Sequence, residues 1–192
     1  MDTLLTRKFF SRRTDLVAID LLGCILVRKI GNKKLSGKIV ETEAYFGEND
    51  PASHAYRGVT PRNKIMFGSP GFAYVYFIYG NHHCLNFTTE REGKAGAVLI
   101  RALEPLEGIG LMKKNRGTNN IKNLTNGPGK LTQALAITRE QNGLDLAGNV
   151  LYVLKGDEPK EIVRTTRVGI RNGEGLKLRF YIKDSPFVSK PV

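Results

Sequence analysis

The sequence predicts a single mixed α/β domain built mainly of strands and hairpins, and three features carry that expectation. The stretch 71–89 consists of two runs rich in aromatic and β-favouring residues on either side of Tyr79-Gly80-Asn81-His82, where Gly and Asn can take the positive φ of a tight turn. A second strand-turn-strand pattern runs from Cys24 to Phe46 about Gly31-Asn32-Lys33-Lys34. Helical spacing is confined to two short stretches. A chain of 192 residues, 41% of them hydrophobic, has core enough for one such domain, residues 1–192, and no repeat or linker divides it.

Taken in order, Leu16, Ile19 and Leu22 repeat at helical spacing, Ser11 or Thr14 can cap this short packing helix, and Gly23 can stop it. Cys24–Ile30 reads as a strand, 31–34 as a turn and Leu35–Phe46 as the return strand. Odd positions of that return strand share a side, so Ile39, Glu41, Glu43 and Tyr45 point the same way, with the two carboxylates about 7 Å apart along the strand. Loop chemistry follows in Gly47-Glu48-Asn49-Asp50-Pro51, His54 and Thr60-Pro61-Arg62-Asn63-Lys64, where Thr60 and Pro61 look like a cap and first turn. In the hairpin, alternation sets Tyr74 and Tyr76 on one face and Val75 and Phe77 on the other, with Tyr79 at or beside the tip. Gly96–Leu103 is an apolar strand interrupted by Arg101, and a buried arginine requires a partner. Residues 113–123 are basic and polar and read as a mobile loop. Asn126-Gly127-Pro128-Gly129 leads into a helix over 130–137 whose N-terminus can meet a phosphate, and strands follow at 150–154, 163–170 and 177–182.

Composition narrows the partner. Thirty Lys and Arg against 18 Asp and Glu give a net charge of +12, which favours a polyanion, nucleic acid before membrane surface. Two cysteines, Cys24 and Cys84, with no cationic-then-apolar leader, describe a reduced, cytoplasmic protein, and no apolar run approaches the roughly 20 residues that span a bilayer. A phosphate-binding loop at 124–131 is ruled out, because Leu124 and Leu131 stand where Gly and Ser or Thr are needed. His82, His83 and Cys84 lack a second ligand pair at zinc spacing, so no zinc site is expected from them. Paired glutamates on one strand face are usually solvated, yet here they run into a loop with a histidine, beside tyrosines, in a very basic chain. A carboxylate beside electron-rich aromatics is suited to activating water against a cationic or electron-poor base.

The run Val40-Glu41-Thr42-Glu43-Ala44-Tyr45, His54, Thr60-Pro61-Arg62-Asn63, Tyr74-Val75-Tyr76-Phe77-Ile78-Tyr79-Gly80, Cys84-Leu85-Asn86, Leu99–Pro105, Gly129–Leu135 and Arg167-Val168-Gly169 resembles the alkyladenine (3-methyladenine) DNA glycosylase family of bacterial type, in order and over nearly the whole chain. The resemblance implies a curved antiparallel sheet, a hairpin protruding into the DNA minor groove, and a monomeric, monofunctional enzyme that removes alkylated and deaminated purines from double-stranded DNA without metal or cofactor. It casts Glu43 as general base for water, with Arg101 and the main-chain carbonyl of Val168 helping to hold that water. Tyr45, His54 and Tyr76 would wall the flipped base, Asn86 would sit where a guanine amino group clashes, and Tyr79 would be the wedge in the stack. Thr60, Arg62, Lys130 and Gln133 are candidates for the DNA backbone, and Glu41 is left a supporting role. One departure is that Asn81 and His82 after the wedge are more polar than their counterparts in animal members. Two other classes explain less: a single-strand binder stacking bases on the same tyrosines leaves Glu43 unexplained, and a sugar glycosidase using Glu41 and Glu43 leaves the charge unexplained.

Overall fold

The computed structural model describes residues 3–78 and 80–190. Its frame is one curled, half-barrel sheet in which every strand pairing is antiparallel. In chain order the elements are helices α1 (Arg7–Phe10) and α2 (Thr14–Asp20), strands β1 (Ile25–Ile30), β2 (Lys33–Phe46), β3 (Ala73–Ile78), β4 (His82–Thr88) and β5 (Gly96–Glu107), helices α3 (Ile109–Arg116) and α4 (Pro128–Ala134), and strands β6 (Leu151–Leu154), β7 (Ile162–Thr165) and β8 (Arg179–Ile182). The strands lie in the order β3-β4-β5-β2-β1-β6, and β8 joins the sheet on β2 with β7 beyond it. The mixed α/β class with a curved antiparallel sheet is therefore the observed one.

Both predicted hairpins form. Ile30 pairs with Lys33 across a two-residue turn in which Gly31 has a φ of 56°, so β2 starts two residues earlier than expected. Ala73–Ile78 pair with His82–Phe87, but only Asn86–Thr88 go on to pair with β5. The outer part of this hairpin thus extends past its neighbouring strand. Val75 reaches the core as expected, whereas Phe77 is 44% exposed and rests its ring against His83 at 4.9 Å, because the hairpin has by then outrun the core.

The long strands bend at irregularities. Between Ile39 and Thr42 the β2–β5 register slips twice, leaving Val40 and Arg101 without Cα partners. The expected uninterrupted alternation fails at that point: Ile39 joins Ala44 in the main core, while Glu41, Glu43 and Tyr45 stay on the opposite face. On β5, likewise, Val98, Ile100 and Leu103 enter the core, and Ala97, Leu99 and Arg101 face away from it.

Other expectations need correction. Helix α2 begins after Arg13 with no side-chain cap from Ser11 or Thr14; the Thr14 amide and hydroxyl both donate to Glu90 instead. Residues 113–123 are not a loop throughout, since α3 runs to Arg116 and a 3-10 turn covers Ile121–Asn123. Met112 buried on one side of α3 supplies the packing that polar composition concealed. The helix expected over 130–137 starts at Pro128 and ends at Ala134. The strand expected over 163–170 stops at Thr165, where the chain turns inward at Arg167.

Candidate active site

On the face of the sheet away from the main core lies a cavity of about 400 Å³, within the range of small-molecule sites. Its walls come from β2 (Tyr45), the loop carrying His54, the hairpin (Tyr74, Tyr76, Cys84, Asn86), β5 (Arg101) and the segment from Val168 to Asn172. A small satellite core of Ala55, Met66, Tyr74, Ala95 and Ala97, with Tyr76 packed against it, supports one side.

Three rings form a connected wall. His54 meets Tyr76 edge-on at 4.5 Å between centroids, Tyr74 lies 5.3 Å from Tyr76, and the Tyr74 hydroxyl and His54 Nδ1 share a hydrogen bond of 2.9 Å. Crowding by these rings, with the nearby Arg62 charge, holds the His54 imidazole down at about 4. His54 is therefore uncharged at neutral pH. Burial pushes the Tyr45 and Tyr76 hydroxyls up, so both keep their protons. A neutral, π-rich wall of this kind accepts a flat cation as readily as a flat neutral ring.

Glu43 lies directly behind this cavity with no exposed surface. Its Oε2 accepts from the Tyr45 hydroxyl at 2.8 Å and from Arg101 Nη1 at 3.3 Å, and its Oε1 accepts from the Val168 amide at 2.8 Å. A carboxylate offers about four acceptor positions, two on each oxygen, so these bonds leave one on Oε1. Glu41, also fully buried, accepts from Arg101 Nε at 3.1 Å and from Arg179 Nε at 2.6 Å. The prior expectation that paired strand glutamates are solvated does not hold here, because two arginines enter the same pocket of charge. Burial weakens the Arg101 cation, but Glu43 and Glu41 more than offset this and raise its pKa.

A clamp fixes the walls. Arg167, fully enclosed, donates through both terminal nitrogens to Asp50 at 2.6 and 2.7 Å and to the Ala44 carbonyl at 3.0 Å, while its guanidinium lies 4.6 Å over the Tyr45 ring. Asp50 in turn accepts from the Phe46 and Ala52 amides. This arrangement ties the end of β2, the turn after it and the Val168 segment into one unit. Asn63 performs the same service for the histidine loop, donating to the His54 and Gly58 carbonyls and accepting from the Thr60 amide.

A family model described as methylpurine-DNA glycosylase matches residues 8–186. The chain belongs to that family. Curated relatives named "Putative 3-methyladenine DNA glycosylase" include one from Carboxydothermus hydrogenoformans, 55% identical over 97% of this chain and 99% of its own. Others are from Prosthecochloris aestuarii, 54% identical over 96% and 90%, and from Methanoculleus marisnigri, 51% identical over 95% and 96%. As a member of the methylpurine-DNA glycosylase family the protein is a DNA glycosylase, a hydrolase of DNA repair whose substrate is DNA. No helix among the described residues is long and apolar enough to cross a membrane.

The family's expected site residues are largely brought together: Tyr45, His54, Tyr76, Asn86, Arg101 and Val168 all line the one cavity, with Glu43 behind it. The Val168 group in contact with Glu43 is its amide, where the resemblance invoked its carbonyl. Asn86 is buried and donates to the Tyr74 carbonyl at 3.2 Å. Tyr79 lies outside the described residues. The backbone candidates divide: exposed Arg62 sits 5.1 Å over the Tyr76 ring at the cavity and Thr60 is exposed beside it in sequence. Lys130 instead spends its ammonium on Asn123 and Asn126, and the Gln133 amide is held between Arg116 and the Asn115 carbonyl. Asp50 and Asn63 were read only as loop residues, and Arg167 only as part of a motif. Arg167, expected within a strand over 163–170, carried no sequence signal of its pairing with Asp50, and nothing in the sequence marked Ser189, which also contacts Glu41.

Proposed function

We propose that the protein hydrolyses the N-glycosidic bond of alkylated or deaminated purines, the class of 3-methyladenine, 7-methylguanine, hypoxanthine and ethenoadenine, after flipping them from duplex DNA. The observation that carries this reading is Glu43: buried behind a purine-sized aromatic cavity, ligated on three sides, with one acceptor position left on Oε1. A water donating to that position would be aimed at the sugar carbon of a base stacked among Tyr45, His54 and Tyr76. As the bond to the base breaks, positive charge develops on the sugar, and the Glu43 carboxylate both stabilises it and takes the proton from the attacking water. A purine methylated at N3 or N7 leaves as a neutral base, so stacking and a positioned water suffice for it. Asn86 would sit where a guanine 2-amino group clashes, which disfavours guanine and 7-methylguanine alike against the lesions that lack that group and leaves the cationic ring of 7-methylguanine to offset the clash by stacking. Tyr79, which follows Ile78 in sequence, would fill the gap in the stack and offset part of the few kcal/mol that extrusion costs. Arg62 and Thr60 would meet the DNA backbone near the cavity mouth. The reading takes residues 1–192 as one domain acting as a monomer, in the cytoplasm at the chromosomal DNA.

The test is the product. Duplex DNA carrying a single 3-methyladenine or hypoxanthine should yield free base and an abasic site with both strands intact. Strand cleavage without added alkali would contradict the monofunctional reaction, and retention of the base would contradict the reading as a whole.

A further inference from the structure

Glu41 is more completely ligated than Glu43 yet takes no part in the reaction proposed above. Besides the two arginines, its Oε1 accepts from the Ser189 hydroxyl at 2.9 Å and its Oε2 from the Ser189 amide at 2.6 Å. Arg101 divides its donors three ways: Nε to Glu41, Nη1 to Glu43 and Nη2 to the Ser189 hydroxyl at 3.3 Å. Arg179 reaches past Glu41 to the Lys190 carbonyl. Val188, just before, is buried. The segment 188–190 is thus strapped across the back of the charge cluster, with Ser189 148 positions away in sequence from the Glu41 carboxylate it meets.

The cluster balances two carboxylates against two guanidiniums, and the share reaching Glu43 is a single N–H from Arg101. Without the Ser189 hydroxyl, Arg101 Nη2 would be left unmatched, while Glu41 Oε1 would still accept from both arginines and Oε2, which accepts only from the Ser189 amide, offers an open acceptor position. The fork of Arg101 can fill that position by turning to engage Glu41 with two nitrogens, a geometry that guanidinium and carboxylate favour. That turn withdraws Nη1 from Glu43. We propose that Ser189, acting with Glu41, is a positioning residue for glycosidic-bond hydrolysis: the strap holds Arg101 split between the two carboxylates, and so keeps Glu43 Oε1 turned toward the attacking water. The proposal rests on the reading of Glu43 as the base.

Single-turnover base release, lesion-DNA affinity and melting temperature separate the outcomes when measured on the parent, Ser189→Ala, Ser189→Thr and Glu43→Gln. Ser189→Ala should slow base release roughly 10-fold, the scale of a small misplacement at a reacting centre, with affinity for lesion DNA unchanged. Ser189→Thr restores a hydroxyl at the same position and should recover most of the rate. Ser189→Ala turning over within about two-fold of the parent would overturn the proposal. So would a loss of rate matched by a loss of affinity or melting temperature, or a Ser189→Thr as slow as Ser189→Ala, since each assigns the effect to packing. An inactive Glu43→Gln beside an unimpaired Ser189→Ala removes the strap alone; a Glu43→Gln that keeps its activity removes the reading on which it rests.

Discussion

His54 shows how a residue's surroundings set its chemistry. An isolated histidine would gain a proton below about pH 6.5. Here, although one side of His54 stays exposed to solvent, the loss of water on the side packed against Tyr74 and Tyr76, with the charge of Arg62, lowers its pKa to about 4. The depressed value has a definite sign: the unfolded chain takes the proton first, so the stability contributed by neutral His54 is complete above pH 6.5 and is lost progressively as pH falls toward 4. In the same window the cavity wall carries no added positive charge. Binding of the catalytically blocked Glu43→Gln variant to DNA with a cationic 7-methylguanine should accordingly hold steady or strengthen from pH 7.5 to pH 5. A loss of affinity with a midpoint near 6.5 would show that His54 charges in the cavity. At this scale the sequence was readable wherever residue type and motif coincided, as for Glu43, Tyr45, Tyr76 and Arg101. It was silent where the contact is made by a distant chain segment: Ser189 and Asp50 are ordinary polar residues until folding brings Glu41 and Arg167 to them.

Among the elements, the β2–β5 pair and the turn after β2 do most to place the site. Two register slips put Arg101 on the same face as Glu41 and Glu43, and strict alternation could not anticipate them because a bulge changes side-chain direction without changing composition. The hairpin was legible from its glycines and aromatics, since both act locally. The polar stretch 113–123 was misread because a single buried Met112 and the αL glycine ends at Gly108 and Gly117 define α3 more than its charges do. The Asp50–Arg167 pair gives the element scale its own test. Asp50→Asn removes one charge from a fully buried ion pair and leaves Arg167 uncompensated, which costs about 3–5 kcal/mol. Denaturant unfolding should register that loss, and base release should fall with it, because the Tyr45 wall and the Val168 amide lose their common anchor. A change of less than about 1 kcal/mol would mean that the clamp does not hold the site together.

The whole molecule adds a field to this site. With a net charge of +12, affinity for undamaged duplex should fall with salt at about −0.9 in log affinity per phosphate neutralised. Exposed Arg62, stacked over Tyr76 at the cavity mouth, and Lys113 and Lys114 on α3 can contribute more than Arg116 and Lys130, whose donors are spent on neighbouring carbonyls and amides. Replacing Arg62 with Gln should therefore flatten the salt slope by about one phosphate, and an unchanged slope would place the DNA path elsewhere. Charge and fold nevertheless only deliver the lesion; the central claim is that one carboxylate behind the aromatic cavity does the chemistry. Its most direct test is single-turnover release of 3-methyladenine or hypoxanthine by Glu43→Gln, with Glu41→Gln in parallel. Glu43→Gln should lose at least about 10²-fold in rate while still binding the lesion, and Glu41→Gln should lose considerably less. Release by Glu43→Gln within a few-fold of the parent would contradict the account.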